Sequence, residues 1–95
     1  MTRIALITGG STPERNVALA GAGLVAGALR SRGHEVTVID TFRGVLDAAA
    51  EDRQLDPAVA LTLPGDEELE EIRRAEDLPG LVRSPLVKGS DLVFP

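Results

Sequence analysis

Two glycines, two hydroxyl residues, a proline and a glutamate follow one another at Gly9-Gly10-Ser11-Thr12-Pro13-Glu14, between the apolar run Ile4–Ile7 and the start of a helical pattern. Where a strand's carboxyl end meets a helix amino end, free backbone N–H groups and the helix dipole favour anionic groups, and α/β proteins collect ligands there. The residues themselves allow two readings. A dinucleotide fingerprint needs G-x-G-x-x-G so that backbone can approach a pyrophosphate. Here the later glycines are missing and Glu14 stands where the anion would sit, although Asp40 ends the second apolar run where a ribose-binding acid belongs. A structural reading fits the spacing better. Ser11-x-x-Glu14 matches a capping box, in which serine and glutamate side chains satisfy each other's backbone N–H, and Pro13 suits a first helical turn. On spacing alone, capping outweighs a catalytic role for Glu14.

Other chemistry is limited by composition. The chain has no cysteine, which removes disulfides, thiolate metal sites and cysteine nucleophiles. The acidic run Glu67, Glu68, Glu70 and Glu71 reads as a solvated helix face, since no histidine or turn geometry accompanies it to make a metal site. With two Phe, no Trp or Tyr and a net charge of −5, the chain can neither stack on bases nor attract phosphate backbones, so nucleic acid and anionic membrane surfaces are not expected partners. No nucleotide pocket bearing a lysine, magnesium-binding carboxylate pair or oxyanion-stabilising arginine is identifiable. Ninety-five residues make one small domain with a marginal core. The apolar content of 43% is nearly all Ala, Val, Leu and Ile, a globular balance.

The elements that would hold the glycine-rich turn are the clearest in the chain. Ile4–Ile7 reads as a central parallel strand covered on both faces. A helix follows over about 13–32, with Val17, Ala20, Leu24 and Ala28 on its apolar face and Gly21, Val25 and Leu29 beside them. Arg30 and Arg32 suit its last turn, and Gly33 its left-handed cap. Gly21, Gly23 and Gly27 point to close packing on the sheet rather than to a membrane motif. Asn16–Leu29 is too short to span a bilayer and lacks the basic leader of a signal peptide, so a cytoplasmic location is expected. Glu35–Asp40 alternates into a second strand, completing a right-handed βαβ unit. Beyond it, 45–53 reads as a short helix, 59–63 as a third strand or an irregular segment, and 66–77 as a surface helix capped by Asp66 and carrying a Glu70–Arg74 pair. Pro79-Gly80 and Pro85 punctuate a connection to a last strand at Asp91–Pro95, on which the sequence stops as though part of something longer.

RIALITGGSTPERNVALAGAGLVAGALRSRGHEVTVID resembles the amino terminus of the D-alanine–D-alanine ligases, whose first strand leads into G-G-x-S-x-E-x-x-V-S-L and a helix ending near G-H-E-V. The terminal SDLVFP resembles the strand that in this family runs into a Leu-His-Gly segment. The resemblance covers 3–40 and 90–95. It implies that residues 1–95 are the amino-terminal, substrate-side domain of an ATP-grasp ligase, with a three-layer α/β fold and a small, mainly parallel sheet of about four strands, pre-ATP-grasp and Rossmann-like. The implied activity is ATP-dependent joining of two D-alanines for peptidoglycan and the cell wall. ATP with magnesium phosphorylates one carboxylate, and the second amine attacks the acyl phosphate. ATP and Mg would bind the remaining ligase domains, with none expected in this chain.

The family's motif glutamate falls on Glu14, whose implied role is to hold the ammonium of the first D-alanine, while Gly9, Gly10 and Ser11 let the backbone close around the substrate. Thr12, Asn16 and Ala18 depart from the family pattern. His34 matches the G-H-E turn and is expected as an exposed loop residue. The expected partners are D-alanine, the remaining domains and, through the apolar last strand, a second copy in a homo-oligomer. The alternative is a free-standing, non-catalytic α/β binding or interaction module, and the coding sequence after Pro95 would distinguish the two.

Overall fold

In the computed structural model, which describes residues 2–61, 63–76, 80, 87, 89, 90 and 92–94, the run Ile4–Ile7 lies within β1 (Arg3–Thr8). β2 (Glu35–Asp40) runs parallel beside it, in register from Arg3 opposite Glu35 to Thr8 opposite Asp40. Alternation along paired strands then sorts the side chains between two faces. Ile4, Leu6, Val36 and Val38 face the helix α1 (Arg15–Ser31), meeting Leu19, Ala22 and Ala26 together with Leu46 and Leu55. Ala5 and Ile39 are buried on the other face with Val87. The sheet has four strands in the order β3-β2-β1-β4. β3 (Gly44–Val45) is a short antiparallel edge on β2, and β4 (Leu92–Phe94) pairs parallel with β1. The expected small, mainly parallel α/β sheet is therefore present.

The helix turns a different face to the sheet from the one that its sequence suggests. Val17 and Leu24 are 55% and 70% exposed, while Leu19, Ala20, Ala22 and Ala26 are buried. Every residue over 17–29 is Ala, Val, Leu or Gly, so apolar periodicity has almost nothing to choose between. Arg15, Leu19, Ala22 and Ala26 form one stripe at spacings of four, three and four, and Arg15 is as buried as the leucine. The alanines let the helix sit low on the strands. Of the three helix glycines, only Gly23 makes a close approach, and against the Leu55 carbonyl rather than the sheet. The far end of α1 closes as expected. His34 N–H donates to the Leu29 carbonyl and Gly33 N–H to that of Arg30, with Gly33 at φ +87°, which is a Schellman cap.

Arg30 bridges the helix to its neighbours, donating to the Val36 carbonyl at 2.9 Å and to both Glu51 oxygens. The hydrogen bond to Glu51 holds the guanidinium pKa above its ordinary value. Glu51 belongs to α2 (Ala48–Gln54), where a helix over 45–53 was expected; Asp47 caps it, accepting from Ala50 N–H at 2.8 Å, and Val45 belongs to β3 instead. Of residues 59–63, weighed as a third strand or an irregular segment, 59–61 belong instead to a 3₁₀ helix (Pro57–Leu61). Asp56 accepts from Ala58 N–H at 2.9 Å and bends the chain before a strand can start. α3 (Asp66–Ala75) is capped from Gly65 rather than by the Asp66 side chain, and Glu70 pairs with Arg73 at 2.7 Å as well as with Arg74 at 3.3 Å. Ile72 is its buried residue. His34 is half-buried rather than exposed, and its Nδ1 has no hydrogen-bond partner among the described residues. The expected helix end at Asp77 and the turns at Pro79 and Pro85 lie outside the described residues. No helix of the described residues is long and apolar enough to cross a membrane.

Candidate functional site

Past Thr8 the backbone enters two consecutive positive-φ conformations, +98° at Gly9 and +92° at Gly10, which side-chain-bearing residues rarely adopt. That reversal carries the chain from the end of β1 to the start of α1. Beneath it lies a buried ion pair. Arg15 Nη1 and Nη2 donate to Asp40 Oδ1 and Oδ2 at 2.9 and 2.5 Å, with side-chain exposures of 3% and 0%. The same Nη1 also donates to the Gly10 carbonyl at 3.0 Å. Phe42 N–H donates to Asp40 Oδ1 at 3.1 Å, and the Phe42 ring lies 5.9 Å from Arg15 Cζ. A Cβ on Gly9 would overlap the Asp40 carboxylate and the Arg15 guanidinium. Charge-assisted bonds of this fork-to-carboxylate kind are directional as well as strong.

A second set of bonds holds the turn from its other side. Gly10 N–H donates to Thr41 Oγ1 at 2.9 Å, and the Thr41 hydroxyl donates onward to Glu76 Oε1 at 2.6 Å. Thr41 N–H donates to the Thr8 carbonyl at 3.0 Å. Thr8 Oγ1 donates to the Ala18 carbonyl at 3.0 Å. Alongside opens an apolar cleft of about 440 Å³, bordered by Thr8, Gly9, Gly10 and Thr41 on one side and by Ala18, Gly21 and Val25 of α1 on the other.

Gly9 and Gly10 thus border this cleft, whereas Ser11 and Glu14 are not among the residues that line it. Glu14 is the residue before α1, at φ −84° and ψ 4°, with its side chain exposed and without a hydrogen-bond partner among the described residues. The capping box is not formed. The helix begins after Glu14, so Ser11 lies too far upstream to cap it, and Glu14 N–H is met instead by Thr12 Oγ1 at 3.3 Å. Asp40 cannot serve a ribose, because its oxygens are engaged by Arg15 and Phe42. No group of three or more His, Cys, Asp or Glu side chains able to hold a metal ion occurs among the described residues. Arg15 is what sequence reasoning missed. Its one signal was its place on the stripe that continues through Leu19, Ala22 and Ala26.

No protein-family model matches the chain. It is 52% identical over 50 residues to a D-alanine–D-alanine ligase of Desulfovibrio desulfuricans, a match covering 50% of the chain and 16% of that protein. It is 31% identical to a D-alanine–D-alanine ligase of Pediococcus pentosaceus, over 97% of the chain and 29% of that protein. The chain is therefore related by sequence to the D-alanine–D-alanine ligases, sharing with these two a stretch shorter than a third of their length.

Proposed function

We propose that this chain forms the substrate-side wall of an ATP-dependent ligase that joins two D-alanines into the dipeptide used for peptidoglycan in the cytoplasm. Glu14 holds the ammonium of the first D-alanine, and Gly9, Gly10 and Ser11 bring backbone close around it. The observation that carries this reading is the state of Glu14. It is an exposed carboxylate with no hydrogen-bond partner among the described residues, four positions along the chain from the second of two positive-φ glycines, in a chain related to enzymes named for D-alanine. A carboxylate accepts charge-assisted bonds from an ammonium, so holding it there orients the rest of the amino acid. The described residues offer no cluster for magnesium, and in this reading ATP and Mg belong to the remaining domains. This chain's own part is to bind and orient.

Glu14→Gln in the full-length protein tests the reading, because glutamine keeps the shape and removes the charge. The melting temperature should hold while ligase activity falls, with about 1.5–3 kcal/mol of charge-assisted bonding at stake. That corresponds to about a ten- to hundredfold loss. Unchanged D-alanine kinetics would remove the assignment.

A further inference from the structure

We propose that Arg15 and Asp40 are positioning residues for this site. Their ion pair sets the roll of α1 and the path of Gly9-Gly10, and so fixes where the Glu14 carboxylate stands. This inference rests on the reading of Glu14 as the ammonium holder and adds what aims it.

The argument begins with adjacency. Successive residues at a helix start diverge by about 100° around the axis, so burying Arg15 turns its neighbour Glu14 away from the core. The buried stripe of Arg15, Leu19, Ala22 and Ala26 puts the guanidinium under the turn rather than in solvent. Apolar contacts alone define the roll poorly, because the residues over 17–29 are apolar or glycine all round. Directional bonds define it well. Arg15 reaches both Asp40 oxygens and the Gly10 carbonyl, joining the helix start, the end of β2 and the turn at one point. Gly9 closes over that point with no room for a side chain.

Stability does not require such a pair. Desolvating two charges offsets most of their attraction, and apolar residues of similar volume often hold a core as well or better. What apolar residues cannot do is grip the Gly10 carbonyl or fix a rotation. Lysine cannot do it either, since it offers a point charge in place of a planar fork.

Three variants of the full-length protein test the proposal: Arg15→Met with Asp40→Leu, Arg15→Lys, and Glu14→Gln. The paired apolar variant should melt cooperatively, yet lose on the order of a hundredfold in kcat/KM for D-alanine, as a misplacement of about 1 Å can cause. KM for ATP should not move. Arg15→Lys, which retains a charge opposite Asp40, should fall between parent and paired variant, and it supplies the same readout if the paired variant does not fold. Parent-like D-alanine kinetics in a folded Arg15 variant, alongside a loss in Glu14→Gln, would overturn the positioning role and leave Glu14 in place. A silent Glu14→Gln would instead overturn the reading of Glu14, and its positioning with it.

Discussion

Position 9 is occupied from three sides, by its own positive φ, by the Asp40 carboxylate and by the Arg15 guanidinium, whereas position 10 meets only the first of these. Alanine at either position adopts a left-handed conformation at about 1–2 kcal/mol. At Gly10 the penalty should stop there, since a Cβ meets nothing within 4 Å. At Gly9 the new methyl lies 2.7 Å from Arg15 Nη1 and must displace a buried pair, whose breaking costs about 3–5 kcal/mol. Denaturant midpoints should therefore rank parent, Gly10→Ala and Gly9→Ala in falling order, and equal losses would show that the pair yields easily. The glycines were legible in the sequence as turn residues. Arg15 was not, because a charged residue in a first helical turn reads as solvated until Asp40, 25 positions later, is placed against it. The Ser11–Glu14 spacing misled for a related reason, as spacing does not set the dihedral angles that decide which residue precedes the helix.

Among the elements, β1, β2 and the length of α1 could be read from the chain, since turn residues bound each apolar run. The face of α1 could not, because an all-round apolar helix takes its orientation from the partners it meets. The segment after α2 was ambiguous on composition, and the Asp56 side-chain bond to Ala58 N–H resolves it into a 3₁₀ turn. Two glycines on α1 separate packing from propensity. Gly27 is open on all sides, so Gly27→Ala should stabilise the protein by about 0.5–1 kcal/mol through a better helix former. Gly23→Ala carries the same propensity gain but pushes a methyl to 2.8 Å from the Leu55 carbonyl, a backbone atom that cannot swing aside. Thermal melts should move upward for the first variant and not for the second. Two equal increases would mean that the α2 segment gives way freely.

At the scale of the whole molecule, the matched stretches cover 16% and 29% of the two ligases, and the proposed role leaves ATP to the rest of the protein. The 95-residue chain alone should thus release no more phosphate from ATP than a no-protein control, and turnover that co-purifies with it would contradict the division of labour. The Arg15–Asp40 pair also constrains how this sequence can drift through descent. A lineage that loses the acid at 40 while keeping arginine at 15 carries a buried, unanswered charge, at about 3–5 kcal/mol out of a total stability of about 5–15. Exchange of both for apolar residues costs little stability, although the positioning role proposed above makes it costly in activity. Ancestors holding only one half of the pair would have been short-lived, so positions 15 and 40 should be inherited as a single character that switches together, though they lie on different elements.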